Sequence, residues 1–308
     1  MNSPANPPRI VRSYGGQAVL EGVMMRGRRV MAVSVRRPDG TIQTEVRPLG
    51  GIYRSAVVRI PVLRGVLLLW DTLGLGMESL AISAQAQGEQ PIGRGEWAVS
   101  ILFSLAILVG VFLLLPAAAA LALQKVLGAS PLAGNIAEGV IRLGLLLLYL
   151  VAIGRMPEIA RVFAYHGAEH KTVNAYEAGA ELTPAAVDAY PKEHPRCGTS
   201  FLVVVGALAI LLFALVGPLP FWERLLSRVL GIPFLVAFGY EYLWLTARFG
   251  SGLFGRILAA PGLWTQRLTT RNPDRAMLEV AIAAFTAMRA AEESEPAAAP
   301  AAPPAPAG

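Results

Sequence analysis

Two stretches of the chain run without a charged side chain for longer than a bilayer core is thick. Residues 97–123 hold none in 27 positions and residues 201–222 none in 22. A helix crosses the hydrocarbon core with about 20 apolar residues, so membrane spans are predicted over 97–123 and 200–222. Two more are predicted over 136–156, where Glu138 and Arg142 form an i,i+4 pair near one end, and over 229–248, apolar to Ala247 apart from Glu241. The stretch 61–88 differs. Its Arg64, Asp71 and Glu78 recur every seven residues among leucines, a polar stripe that predicts an amphipathic helix lying on the membrane or against other helices.

The remaining segments read as soluble. Residues 1–11 form a Pro/Asn/Ser-rich arm expected to be disordered. Residues 12–60 predict a small β unit, because Val30–Arg37 and Thr41–Arg47 flank Pro38-Asp39-Gly40, a strong hairpin signal. Residues 157–199 form a loop between spans, 249–289 a C-terminal helical segment, and 290–308 an Ala/Pro/Glu-rich tail expected to be disordered. The fold class is therefore mainly α: a polytopic membrane bundle of about four transmembrane helices plus an amphipathic helix, with a small N-terminal β unit. Composition agrees, since 54% of residues are apolar and only 16% charged, against about one-quarter charged in soluble domains.

The net charge of +6 matters through its placement. Of 27 lysines and arginines, 12 precede Trp97, five lie in 155–199 and six follow from Arg248. Four spans then place 23 of the 27 on one side, as the positive-inside rule asks, so a cell-membrane protein with both termini and the 157–199 loop cytoplasmic is expected. The first 60 residues lack the apolar core of a cleavable signal peptide. Specific nucleic-acid binding is not expected, and there is neither a P-loop nor a dinucleotide fingerprint.

Every histidine and the lone cysteine fall in that loop. His166 and His170 stand one turn apart on a helix that Pro157 can open and Gly179 can close, with Asn174 and Glu177 continuing the stripe. His166-x-x-Glu169-His170 matches the inverzincin pattern, in which two histidines hold zinc and the glutamate activates a water. Pro191 and Pro195 keep the next segment out of a helix, so His194 and Cys197 can fold back over the first cluster. The expected metal set is His166, His170, His194 and Cys197, N/S donors suited to zinc, with Glu169 catalytic and Glu177 or Glu181 as further ligands. Structural readings compete: membrane-proximal histidines satisfy hydrogen bonds or meet headgroups, and a cysteine is a small buried residue. Glu21 is a candidate ligand or base, or else the partner of an arginine such as Arg26. Glu241 is a candidate as an intramembrane ionisable group, with Arg142, Arg248 or the metal loop as partners.

Four motifs carry a resemblance. Gly15–Gly27, Tyr165–Lys171, His194–Phe201 and Leu268–Asp274 followed by Glu279-Val280-Ala281 together are similar to the YqhQ-like family of bacterial polytopic membrane proteins of unknown function, over roughly residues 12–288. Asn272 departs from the pattern, which is acidic there. The resemblance implies an inner-membrane protein and a predicted metal-dependent enzyme. Two main functions follow. One is a zinc-dependent hydrolase at the cytoplasmic face, its substrate a peptide or lipid headgroup. The other is a non-enzymatic scaffold or biogenesis factor whose basic surface docks the ribosome, the translocon or anionic lipid around a structural metal. A transporter resting on Glu241 and Arg142 needs oligomerisation to build a pathway, and a homo-oligomer is one expected partner besides the bilayer.

Overall fold

A computed structural model describes residues 14–50, 60, 63–89, 93–216, 219–248 and 252–294. The expected arm and the tail beyond 294 lie outside the described residues. Four antiparallel strands form a meander in the order β1 (Gly15–Val19), β2 (Gly22–Arg26), β3 (Val30–Arg36) and β4 (Ile42–Pro48). The hairpin signal around Asp39-Gly40 joins β3 to β4, with Gly40 at φ +85°. A second hairpin joins β1 to β2 through Leu20-Glu21. Glu21 there holds a left-handed φ of +49°, unusual for a residue with a Cβ. Arg161 clamps its carboxylate bidentately at 2.6 and 2.5 Å, and the Tyr165 hydroxyl donates to it at 3.2 Å.

Strands β2 and β3 are apolar on both faces because both faces are covered. Val23, Met25, Val30 and Ala32 pack on helices α5 (Pro157–Glu177) and α10 (Arg275–Ser294), whose Tyr165, Phe285 and Met288 are buried with them. Met24, Met31, Val33 and Val35 instead meet Ile82 and Ala86 of α1 (Leu63–Ala86). Helix α10 runs to Ser294, past the expected start of the tail at 290, because Glu292 is fixed to the sheet. Its carboxylate accepts from the backbone N–H groups of Arg28 and Arg29, and the Arg29 guanidinium donates to its carbonyl at 2.5 Å. Glu292→Ala is expected to cost about 1.5–3 kcal/mol, the worth of hydrogen bonds to a charged group. A lowered thermal midpoint in detergent checks this.

The apolar helices form a second layer. Helix α2 (Arg94–Val109) continues through a π-turn (Gly110–Leu114) into α3 (Leu115–Leu127). Gly128 at φ +63° closes α3, and Ser130 caps α4 (Pro131–Ile153). After α5 come the short α6 (Pro184–Asp188), α7 (Ser200–Ala214), α8 (Phe221–Arg248) and α9 (Leu253–Thr269). Helix α7 runs antiparallel to α4 and α8: Gly139 of α4 meets Ile210 and Gly206 meets Leu143, while Gly231 and Gly239 of α8 meet Phe213 and Phe201. Small residues at these crossings let the backbones approach.

Four helices are long and apolar enough to cross a membrane: Leu63–Ala86, Gly95–Leu127, Pro131–Ile153 and Phe221–Thr246. This set differs from the sequence reading at two places. The 61–88 helix, read as amphipathic, qualifies by length and composition. The 200–222 span is helical only over the 15 residues Ser200–Ala214, in keeping with the Gly217-Pro218 and Pro220 that follow in the sequence.

Candidate metal centre

Helix α5 begins at Pro157, whose missing N–H costs nothing in a first turn, and ends before Gly179 at φ +76°. From Ala164 onward it is largely buried, between the sheet, α10 and the 191–199 loop. Gly167 permits close approach to the 270s loop, since a Cβ there would lie 2.0 Å from the Arg271 carbonyl oxygen. His166 and His170 project from one face with ring centroids 4.4 Å apart. Each ring is oriented through Nδ1: that of His166 meets the Thr269 carbonyl at 2.8 Å, and that of His170 the Lys192 carbonyl at 2.6 Å. A carbonyl can only accept, so both Nδ1 atoms carry a proton, and in the neutral ring each Nε2 presents its lone pair.

The loop after α6 brings the thiol to those lone pairs. Asn174 Nδ2, one turn beyond His170, donates to the carbonyls of Pro191 and Glu193 at 2.8 and 3.0 Å. Gln266 of α9, fully buried, holds His194 by both backbone groups at 2.8 Å each and reaches Ser200 Oγ at 3.0 Å. Cys197 Sγ then lies 3.2 Å from His166 Nε2 and 3.1 Å from the Thr199 hydroxyl. Ligand atoms from His166, His170 and Cys197 all lie within 4.8 Å of one another. Tetrahedral zinc with bonds of 2.0–2.3 Å sets ligands about 3.3–3.8 Å apart, so the three close on an ion by about 1 Å.

The other expected site residues fall around this trio. The buried Glu169 carboxylate sits 3.4 Å from His170 Nε2 and accepts the Gly16 backbone N–H from β1. A Cβ on Gly16 would lie 2.7 Å from Glu169 Cγ, so only glycine lets the strand come this near. His194 stands outside the trio. Its ring centroid is 5.7 Å from that of His170, its Nδ1 meets the Arg196 N–H at 3.4 Å, and its Nε2 lies 3.6 Å from Glu177. Glu177 is itself the ion-pair partner of Arg196. Glu21 pairs with Arg161 rather than Arg26, and Glu241 with Arg64 of α1 at 2.8 and 2.5 Å rather than with Arg142 or the metal loop.

Burial sets the protonation of the centre. It pushes the Cys197 thiol up to about 11 against the Thr199 hydrogen bond, drives His170 well below the ordinary imidazole value and lowers His194. It also raises the Glu169 carboxyl, opposed by His166, His194 and the Gly16 N–H. By contrast the Arg161 hydrogen bonds hold Glu21 below the usual carboxylate range.

Residues 60–291 match the family described as "Protein of unknown function (DUF1385)". The chain belongs to this family. It is also 33% identical over 291 residues to the "Uncharacterized protein YqhQ" of Bacillus subtilis (strain 168), a match covering 89% of this chain and 91% of that one. No solved structure matches it. Gln266 and Thr269, which position His194 and His166, were not visible as site residues in the sequence. They sit among apolar residues of an amphipathic helix, where a glutamine or threonine reads as surface. Gly16 lay within a quoted motif, but nothing local tied it to Glu169.

Proposed function

We propose that this membrane protein binds one divalent metal ion, zinc by donor chemistry, and is a hydrolase working at the cytoplasmic membrane face. One observation carries the reading: two imidazoles tied through Nδ1 to backbone carbonyls turn their Nε2 lone pairs toward the lone thiol, with a buried carboxylate alongside. Three protein ligands and a remaining position are the catalytic pattern for zinc, whereas closed four-ligand sets are structural. When bound, the ion supplies Lewis acidity and a water that ionises near neutral pH.

His166, His170 and Cys197 hold the ion, and the Thr199 hydroxyl and N–H steady the sulfur. Glu169, oriented by the Gly16 N–H, takes the proton of the attacking water and returns it to the leaving group. Its burial favours that role, because a carboxylate raised toward neutrality both accepts and releases a proton.

Packing supports a place against the membrane surface. From Gly76 onward α1 lies on the sheet: Gln17 contacts Gly76, Arg47 pairs with Glu78, and Gln87 donates to the Arg36 carbonyl at 2.8 Å. The part before Gly76 is about 20 Å long at 1.5 Å per residue, short of a 30 Å core. Helix α1 therefore lies along the surface, with Leu63, Val66, Trp70, Leu73, Met77 and Leu80 forming an exposed apolar stripe at three- and four-residue spacing. The distribution of basic residues supports a cytoplasmic place for that surface.

Elemental analysis of detergent-purified wild type is expected to find about one zinc per chain, and His166→Ala close to none. Glu169→Gln is expected to keep the metal and to lose hydrolysis in a screen of peptide and lipid-headgroup substrates. Wild type without stoichiometric metal, and with a stability indifferent to chelator, would overturn the reading.

A further inference from the structure

At the end of the helix stack opposite the metal centre lies a second charged cluster. Helices α4, α7 and α8 place the centre at Ser200 and Gly239 of one end and Glu138, Phe213 and Gly231 toward the other, about 20 Å away along α7. There one carboxylate faces three guanidiniums. Glu138 Oε1 accepts from Arg142 at 2.7 Å and from Arg228 at 2.9 Å, and Oε2 accepts from Arg228 at 2.9 Å. Arg224 Nη1 stands 3.5 Å from Oε2. Glu138, Arg224 and Arg228 are 1–3% exposed, and Asn135 completes the group by accepting from Arg228 at 3.2 Å.

The charges do not balance. Three arginines and one glutamate leave two positive charges in a cluster buried except for Arg142, which is 20% exposed, and arginine stays protonated at any working pH. The shortfall is localised. Arg142 is satisfied by Glu138 and by the Phe112 carbonyl at 2.8 Å, and Arg228 by Glu138, Asn135 and Ser227. Arg224 Nη1 is buried and hydrogen-bonds nothing among the described residues. A buried guanidinium nitrogen with no hydrogen bond, only the 3.5 Å approach to Glu138, and beside two further guanidiniums, asks for an oxyanion. Depth narrows the choice. Glu138 and Arg228 lie about 10 Å, and Arg224 about 5 Å, from the starts of α4 and α8. The headgroup zone of each leaflet is about 5–7 Å thick, so Arg224 stands within that distance of the helix end, where a lipid phosphate can reach it, and Glu138 and Arg228 lie just beneath.

We propose that Arg224, Arg228 and Arg142, framed by Glu138 and Asn135, bind a phosphate oxyanion on the face of the membrane opposite the metal centre. A phospholipid headgroup or free phosphate supplies the same chemistry, and the test separates them.

Full-length protein in a maltoside detergent, stripped of lipid, is titrated with phosphatidylglycerol, sodium phosphate or sodium chloride while its thermal midpoint is followed. Phosphatidylglycerol is expected to raise the midpoint of wild type. In Arg224→Met its apparent affinity is expected to fall about tenfold or more, as loss of a charge-assisted contact requires. Without lipid, Arg224→Met is expected to melt within about 2 °C of wild type, since Glu138 keeps its bonds to Arg228 and Arg142; a purely structural Arg224 predicts a loss in every condition. An equal rise with sodium phosphate, also weakened in the variant, identifies free phosphate as the source. Native mass spectrometry of wild type, expected to show one phospholipid retained after stripping, decides the matter should the variant fail to fold. No retained lipid together with no phosphate-dependent rise, a rise matched by chloride, or an undiminished rise in Arg224→Met overturns the proposal.

Discussion

Glu138→Leu is expected to lower the thermal midpoint by roughly 6–15 °C and to cut the yield of monodisperse protein. The change removes the carboxylate that accepts from Arg142 and Arg228 and faces Arg224. Three guanidiniums would then share the site with no carboxylate partner among the described residues. Breaking a buried ion pair from one side costs about 3–5 kcal/mol, a large share of a stability of about 5–15 kcal/mol. At about 2–3 °C per kcal/mol for a chain of this size, the midpoint shift follows. The partner experiment is Glu138→Leu with Arg228→Leu. Arg228 spends two of its nitrogens on Glu138 and lies over the Phe213 ring at 4.3 Å, so a leucine fits its apolar surroundings and removes the worst orphan. The double variant is expected to recover at least half of the lost midpoint. A single variant as stable as wild type would show that the arginines do not depend on Glu138 at all.

How far the sequence reaches can be seen from these same residues. Glu138 and Arg142 were legible as an i,i+4 pair because helical periodicity is local. Arg224 and Arg228 looked like loop charges between two spans, since nothing in a single chain says that the start of α8 stands beside the start of α4. The metal centre divides similarly. The His166–His170 spacing and the helix-breaking prolines around His194 were enough to expect imidazoles and thiol together, and the structure brings His166, His170 and Cys197 into one group. The place of His194 was not legible, because Gln266 takes it by the backbone and turns its ring toward Glu177. The β3–β4 hairpin announced itself through Asp39-Gly40. The β1–β2 hairpin did not, because its turn uses Glu21 in a left-handed conformation stabilised from α5, a tertiary contact. Likewise an amphipathic α10 could be read as a helix, but not as the lid of the sheet.

The metal site should reveal its third ligand through protons. Between pH 8 and 9.5 the apparent affinity for zinc is expected to rise at least tenfold per pH unit, and Cys197→Ala should weaken it by more than a hundredfold while lowering that slope by about tenfold per unit. Burial holds the Cys197 thiol at about 11, above the ordinary value near 8.5, so the metal-free protein keeps the proton throughout this window. Only the thiolate binds metal, so each ion displaces one proton and falling pH opposes binding. His170 adds nothing to the slope, because burial drives it further below neutrality. Loss of a coordinating atom exceeds the 10–100-fold cost of losing a partner that merely orients one, which sets the bound for Cys197→Ala. Competition with a chromophoric chelator gives the affinities, and calorimetry in two buffers of different ionisation enthalpy counts the protons, whose number is expected to fall by about one per ion in Cys197→Ala. A flat profile with no proton released would take the sulfur out of the coordination sphere and leave His166 and His170 to bind with Glu169, an oxygen donor that gives a harder site and different metal preferences.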